Sequence, residues 1–392
     1  MSVAPGGVRN VVLVGSDETT TTALVQSLLA AAGGGAQNRS SGSASVCSFE
    51  HAGLTVNLLV APAGDQVGDG FGAMLTGAEA AVFILSAAQT VEARSLHVWD
   101  ECADAGMARA LVITGLDGDD ADFEDAVEAC QDEFGESALP LSLPLHDEVG
   151  TLAGLIGLLS QRIADHSGGD RVEREADPEH LPLIHEHSRA LVEGILAESE
   201  DDTLLDRYLD GEIVTPQLLH DGLASAVARG VLFPVTPIAP LSGVGMVELL
   251  DLITGAFPSP LQQPLPVATG RDGSPRDALT CDPAGPLAAV VLTADHPSYD
   301  GAVVVRVLSG TLRIGLDVGL ASTIAPGGDG YAAIGALVSS RDALPLTECA
   351  AGDICVVSGL PPAQPGDSVY GLDSPLRIAT WRSAHDVQTG SG

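Results

Sequence analysis

The sequence predicts a doubly wound α/β domain carrying a helical insertion, followed by a small antiparallel β-barrel. Three observations point there. Continuous apolar runs alternate with helical patterns through the first part of the chain, as strands buried on both faces of a parallel sheet require. A proline-dense stretch, Phe257-Pro-Ser-Pro-Leu-Gln-Gln-Pro-Leu-Pro, then reads as a linker. Beyond it, short strand-like runs are separated by Gly, Pro and Asp, the pattern of a small barrel.

The run Val11–Val14 is a buried strand that ends at Gly15. Thr21–Ala32 reads as a helix with Leu24, Leu28 and Leu29 on one face. Further strands are expected at Leu54–Val60, Ala80–Ser86, Ala110–Thr114, Leu139–Leu145 and Val231–Thr236. Helices are expected at Val91–Ala105, Asp122–Phe134 and Gly245–Ala256. Two segments interrupt the alternation. Gly33–Ser45 is small and polar and reads as a loop, and Asp165–Arg229 is acidic and reads as a helical insertion, from the Arg-Val-Glu-Arg-Glu-Ala stretch onward. The barrel strands are expected at Leu287–Thr293, Ala302–Leu308, Thr311–Ile314, Ala332–Val338, Asp353–Ser358 and Arg377–Trp381. The resulting division is a domain over 8–262 with an insertion at about 165–229, a barrel over 268–383, and a disordered tail over 384–392.

The chain has 392 residues and a net charge of −36, and all 17 basic residues are arginine. A surplus of carboxylates repels phosphate backbones and anionic bilayers, so neither DNA nor a membrane is an expected partner. The six cysteines are dispersed without CxxC spacing, and no uncharged apolar stretch is long enough to span a bilayer. These features read as a reduced, cytoplasmic chain.

One motif carries chemistry. Gly15-Ser-Asp-Glu-Thr-Thr-Thr-Thr22 follows a strand and opens a helix, the setting of a phosphate loop. A working loop reads GxxxxGK[ST]: its second Gly admits the phosphates, its Lys neutralises them and its Ser/Thr holds Mg²⁺. Here Gly15 and Thr22 fit, Thr20 replaces the Gly, and Thr21 replaces the Lys. Asp17 and Glu18 bring two carboxylates to the loop, which equally suits an ordinary helix start.

From Val8 to Trp381 the chain resembles translational GTPases, most closely elongation-factor-G-like proteins. Val56-Asn-Leu-Leu-Val-Ala-Pro-Ala63 resembles the family's NLLDTPG, and Leu111-Val-Ile-Thr-Gly-Leu-Asp117 its base-binding NKxD. Ala197–Glu212 resembles an acidic signature of the helical insertion, and Leu241–Asp251 the start of the last helix. In the barrel, Arg306–Leu312, Ala351–Ile354 and Gly366–Ser368 resemble RV-SGTL, AGDI and GDTL. The resemblance implies a P-loop GTPase-like fold, a translation-factor-type barrel, GTP or GDP with Mg²⁺ as ligand, and the ribosome or ribosomal proteins as partner.

It also locates the departures. The positions it assigns to nucleotide binding are Gly15, Thr20, Thr21, Thr22, Thr114 and Asp117, with Thr22 as the Mg²⁺ ligand. The switch-like positions are Pro62, Ala63 and Gly64. The family's Mg²⁺-directed Asp falls on Val60, its γ-phosphate-sensing Gly on Ala63 and its water-orienting His on Gly64. Thr114 and Gly115 replace the Asn and Lys of the base motif, and only Asp117 survives. Losing even one electrostatic contributor often costs ~10²–10³ in rate. The expectation is therefore a degraded nucleotide site with no catalytic residue, in a non-catalytic binding or regulatory protein. A residual GTP-binding protein with slow GTPase activity on the ribosome stays open beside it.

A second constellation is Glu179-His-Leu-Pro-Leu-Ile-His-Glu-His187. His180 and His187 would share a helix face with Glu186 nearby, but the spacing is not HExxH and a solvated helix is the plainer reading.

Overall fold

The structure is a computed structural model that describes residues 3–15, 17–33, 46–60, 69–117, 121–199, 201, 203–211, 214–294, 301–322, 330–340 and 344–381. Pro62, Ala63, Gly64, the expected tail and all but Gly33 of the Gly33–Ser45 loop lie outside these residues.

The elements in chain order begin with β1 (Val8–Gly15), α1 (Glu18–Ala31), β2 (Val46–His51), β3 (Leu54–Val60), α2 (Asp69–Thr76) and β4 (Ala80–Ser86). They continue with α3 (Ala93–Asp104), β5 (Ala108–Thr114), α4 (Phe123–Phe134), β6 (Ala138–Pro140) and β7 (Ser142–His146). The insertion holds β8 (Leu152–Gly157), β9 (Arg162–Asp165), β10 (Val172–Glu175), α5 (Leu181–Ala197), α6 (Leu204–Leu209) and α7 (Pro216–Ala228). β11 (Phe233–Pro237) and α8 (Met246–Gly255) close the α/β part.

The main sheet has the order β2-β3-β1-β4-β5-β11-β6. The pairs β4–β5, β5–β11 and β6–β11 are parallel. β4 and β5 are buried over most of their length because helices cover both faces of a parallel sheet. β2 and β3 form an antiparallel hairpin. Its two-residue turn has φ of 50° at Ala52 and 78° at Gly53, the left-handed pair whose twist matches that of the strands.

The described residues pack as two compact units. One combines Met1–Val12, Gly34–Glu79 and Pro258–Gly392; the other combines Leu13–Gly33 and Ala80–Phe257. The second unit has an aromatic core. Trp99 lies 5.1 Å from Phe83, 4.5 Å from Phe134 and 4.7 Å from Phe233 between ring centroids. The Arg109 guanidinium sits 4.5 Å over the Trp99 ring and 4.4 Å over Phe233, and donates to Gly230 O at 2.9 Å. Burial draws its pKa down, and the ring faces and the carbonyl take the place of water around the cation.

The insertion differs from the expectation of helix from Asp165. A four-stranded antiparallel sheet, ordered β10-β9-β8-β7, precedes its helices. The stretch Val172-Glu-Arg-Glu175 alternates, and a strand sends alternate side chains to one face. Glu173 and Glu175 thereby both reach Arg162, at 2.7 Å for Glu173. The helical reading holds from Leu181 onward.

The first unit contains the barrel part. Its strands are β12 (Ala268–Thr269), β13 (Ala288–Thr293), β14 (Val303–Ser309), β15 (Thr311–Arg313), β16 (Asp317–Ala321) and β17 (Gly330–Ala333). They continue with β18 (Ala336–Ser339), β19 (Pro345–Leu346), β20 (Glu348–Ala350), β21 (Ile354–Ser358), β22 (Ser368–Gly371) and β23 (Arg377–Ile378). Eight of them form an antiparallel sheet of order β17-β16-β22-β13-β14-β21-β18-β19 around a core that includes Val291, Val305, Leu320, Leu337, Val357 and Val369. The fold is thus the GTPase-like doubly wound sheet followed by the translation-factor-type barrel expected from the sequence.

Candidate functional site

β1, β4 and β5 are neighbours in the sheet, and their carboxyl ends, Gly15, Ser86 and Thr114, open the loops where α/β folds bind ligands. Two of the loops contain the residues singled out in the sequence.

At the first, Asp17 is the N-cap of α1, with φ −110° and ψ 118°. Its carboxylate accepts from Thr19 N at 3.1 Å, from Thr20 N at 2.8 Å and from the Thr20 hydroxyl at 2.5 Å. These bonds, the Thr20 hydroxyl first, hold the Asp17 pKa below the usual carboxylate value. The amides of a helix N-terminus are the groups that would otherwise meet a phosphate. Two of them, and the Thr20 hydroxyl, are taken by the chain's own carboxylate. Capping moves the start of α1 forward to Glu18, three residues before the expected Thr21.

Thr21 is turned inward. It is buried and donates from its hydroxyl to Asp17 O at 2.9 Å. A Cβ at Gly15 would lie 2.7 Å from that hydroxyl, so the two residues are in close contact where a phosphate-binding lysine would reach outward. Thr22, the candidate Mg²⁺ ligand, is exposed.

At the β5 loop, Thr114 donates its hydroxyl to Leu85 O at 3.0 Å, and its carbonyl accepts from Ala87 N at 2.9 Å. Gly115 follows with φ 72°. Asp117 is exposed and accepts from Leu152 N at 2.9 Å through Oδ1. His146 Nε2 lies 2.9 Å from Leu116 O beside it. The Asp117 carboxylate thus fastens the start of β8 to the β5 loop. Spacing gives no sign of this, because the partner is 35 residues away. Among the described residues, a cavity beside the ends of β4 and β5, lined by Ser86, Val91, Ser95 and Asp122 among others, measures ≈ 150 Å³. Ligand pockets usually measure roughly 300–1,000 Å³.

The histidines do not come together. His187 faces Glu124 at 3.5 Å, whereas His180 Nδ1 lies 3.7 Å from Asp177 Oδ2. Asp177, Glu179 and His180 could each offer one ligand atom within 4.8 Å of the others. The Asp177 carboxylate, however, already accepts from Arg174 Nη1 at 2.5 Å, and a guanidinium there opposes a metal cation.

A mixed, mostly parallel sheet of this order, a helix N-terminus after its first strand and an antiparallel barrel part are the architecture that the resemblance to translational GTPases implies. Comparisons with known proteins agree. The chain is 38% identical over 412 residues to elongation factor G-like proteins from Mycobacterium tuberculosis strains CDC 1551 / Oshkosh and H37Rv, a match covering 96% of this chain and 57% of theirs. It is 29% identical over 297 residues to elongation factor G 1 of Geobacter sulfurreducens, covering 74% of this chain and 42% of that protein. A crystal structure of a Thermus thermophilus protein matches with a TM-score of 0.73 at 25% identity, over 94% of this chain and 55% of that one. No family model matches. The chain belongs to the elongation factor G-like family, and it spans a little over half the length of the mycobacterial relatives it matches.

Proposed function

We propose that this chain is a translation-related binding or regulatory protein that keeps the elongation factor G-like fold without turning over GTP. The observation that carries the reading is the Asp17 carboxylate seated on the first amides of α1. A triphosphate approaching those amides meets like charge, and no lysine stands in the loop or elsewhere in the chain to offset it. The impaired positions are Thr20, Thr21 and Thr114, with Val60 in place of the family's Mg²⁺-directed Asp. Family membership supports the ribosome or ribosomal proteins as partner and the cytoplasm as location. Among the described residues, no helix is long and apolar enough to cross a membrane. The working division remains 8–262 for the GTPase-like domain and 268–383 for the barrel.

The second reading is a residual GTP-binding protein. Retention of Thr22 and Asp117 favours it, since Thr22 is exposed and Asp117 uses one described bond. Calorimetric titration with GTP and GDP in Mg²⁺, followed by phosphate release with and without ribosomes, separates the two. No binding heat and no release above background are expected. Binding at micromolar or tighter concentration, or ribosome-stimulated release, would establish the second reading instead.

A further inference from the structure

A buried polar cluster joins three separate stretches of the first unit. Arg306 on β14 is fully buried and donates from Nη2 to Glu79 Oε1 at 2.5 Å. Glu79 Oε2 accepts from Asn10 Nδ2 at 2.7 Å, and the same amide donates to Gly352 O at 3.2 Å. Asn57 Nδ2 donates to Asn10 Oδ1 at 2.7 Å and lies 3.5 Å from Asp353 Oδ1. The turn between β20 and β21 is fitted closely here. Gly352 has φ 98°, and a Cβ on it would lie 2.9 Å from Pro5 Cα. A second tie runs from β2: Ser48 donates to the Ser340 hydroxyl at 2.7 Å, and Ser340 donates to Ile354 O at 3.2 Å.

The β2–β3 hairpin is therefore tied to β14 through Asn10 and Glu79, to the start of β21 through Ser340, and to Asp353 just before β21 from Asn57. Buried polar bonds are directional, and breaking one leaves a desolvated group without a partner, which couples each bond of such a cluster to its neighbours. We propose that the Asn10–Asn57–Glu79–Arg306 cluster makes β3 and the barrel strands β14 and β21 one opening unit, so that a disturbance of the barrel is transmitted to Val60 at the end of β3. This coupling depends on no nucleotide and stands or falls separately from the titration above.

Native-state hydrogen exchange on the full chain, read by mass spectrometry, tests it. In the unsubstituted protein, peptides from β3 and β21 should share one protection level and one denaturant dependence. Arg306→Met should speed exchange in β3 by about tenfold or more, although the substitution lies on β14. If that variant does not fold, Asn57→Ala, which leaves the ion pair in place, should speed exchange at Gly352–Ile354 instead. Acceleration confined to the strand that carries the substitution, or separate protection levels for β3 and β21 in the unsubstituted protein, overturns the proposal.

Discussion

β1 begins beside one polar cluster and runs into another, and the two are built in opposite ways. Near its start, Asn10 meets partners 47, 69 and 342 residues away, all buried. Just past its end, Asp17 meets Thr19, Thr20 and Thr21, all within four residues. Local partners ask only for a capping residue and a helix, and water can replace each bond if it breaks. Distant partners demand that several chain segments arrive together, and no water waits to replace them. The candidate nucleotide site lies at the second place, yet the costly polar bonds are found at the first.

This contrast can be broken most forcefully at Arg306. Replacing it with Met removes the guanidinium bonded to the buried Glu79 carboxylate and leaves the more distant Arg9 cation to face it; breaking a buried pair in this way typically costs about 3–5 kcal/mol. Urea unfolding of Arg306→Met should show a loss of that size. Glu79→Met with Arg306→Met together should recover most of it, because desolvation already pushes the Glu79 pKa up against the pull of Arg306 and Asn10. A double variant as unstable as the single one would show that the pair stabilises the fold rather than selecting its arrangement.

Gly72 on α2 gives a smaller effect of the same non-local kind. A Cβ there would collide with the Trp381 carbonyl oxygen. Gly72→Ala should cost about 1–3 kcal/mol through backbone displacement. Gly70→Ala, whose Cβ meets nothing nearer than Pro365 at 4.0 Å, is the control and should be close to neutral in thermal melts.

At the local end, Asp17→Ala should cost about 1 kcal/mol at neutral pH, the usual worth of an N-cap. The pH dependence has a definite sign. The folded-state pKa of Asp17 is depressed, so its contribution is present above the unfolded carboxylate value and is lost as pH falls through the folded one. The stability gap between Asp17→Ala and the parent should narrow on acidification; a constant gap would assign the effect to packing. The smallest change is expected for Asp117→Asn, within about 0.5 kcal/mol, because an amide oxygen can still accept from Leu152 N.

Much of the fold is legible in the sequence. Because apolar runs and helical periodicity survive in one dimension, the expected bounds of β3 and β4 match the observed ones and those of α4 nearly do, whereas the expected Val11–Val14 is the inner half of β1. α2 escapes a sequence reading because Gly70 and Gly72 weaken helix propensity; close approach of Trp381 accounts for Gly72 and is invisible in sequence. β16 escapes for a similar reason. Gly319 lies under the Tyr370 ring, where a Cβ would run into the ring carbons, and glycine inside a strand reads as a break. At the candidate site, the acidic capping of α1 is legible because its partners are adjacent. The Asp117–Leu152 bond and the Glu79–Arg306 pair are not, because contacts across 35 and 227 residues leave no periodic trace.

Trp381 has a practical consequence as well. Its amide donates to the Thr76 hydroxyl at 3.1 Å, and its carbonyl lies over Gly72, so the strand direction of the barrel finishes pinned against α2. Trp381 is itself a fluorophore, and its backbone is held beside that helix. It would report on α2 through its anisotropy, giving a spectroscopic handle on the first unit without touching either polar cluster.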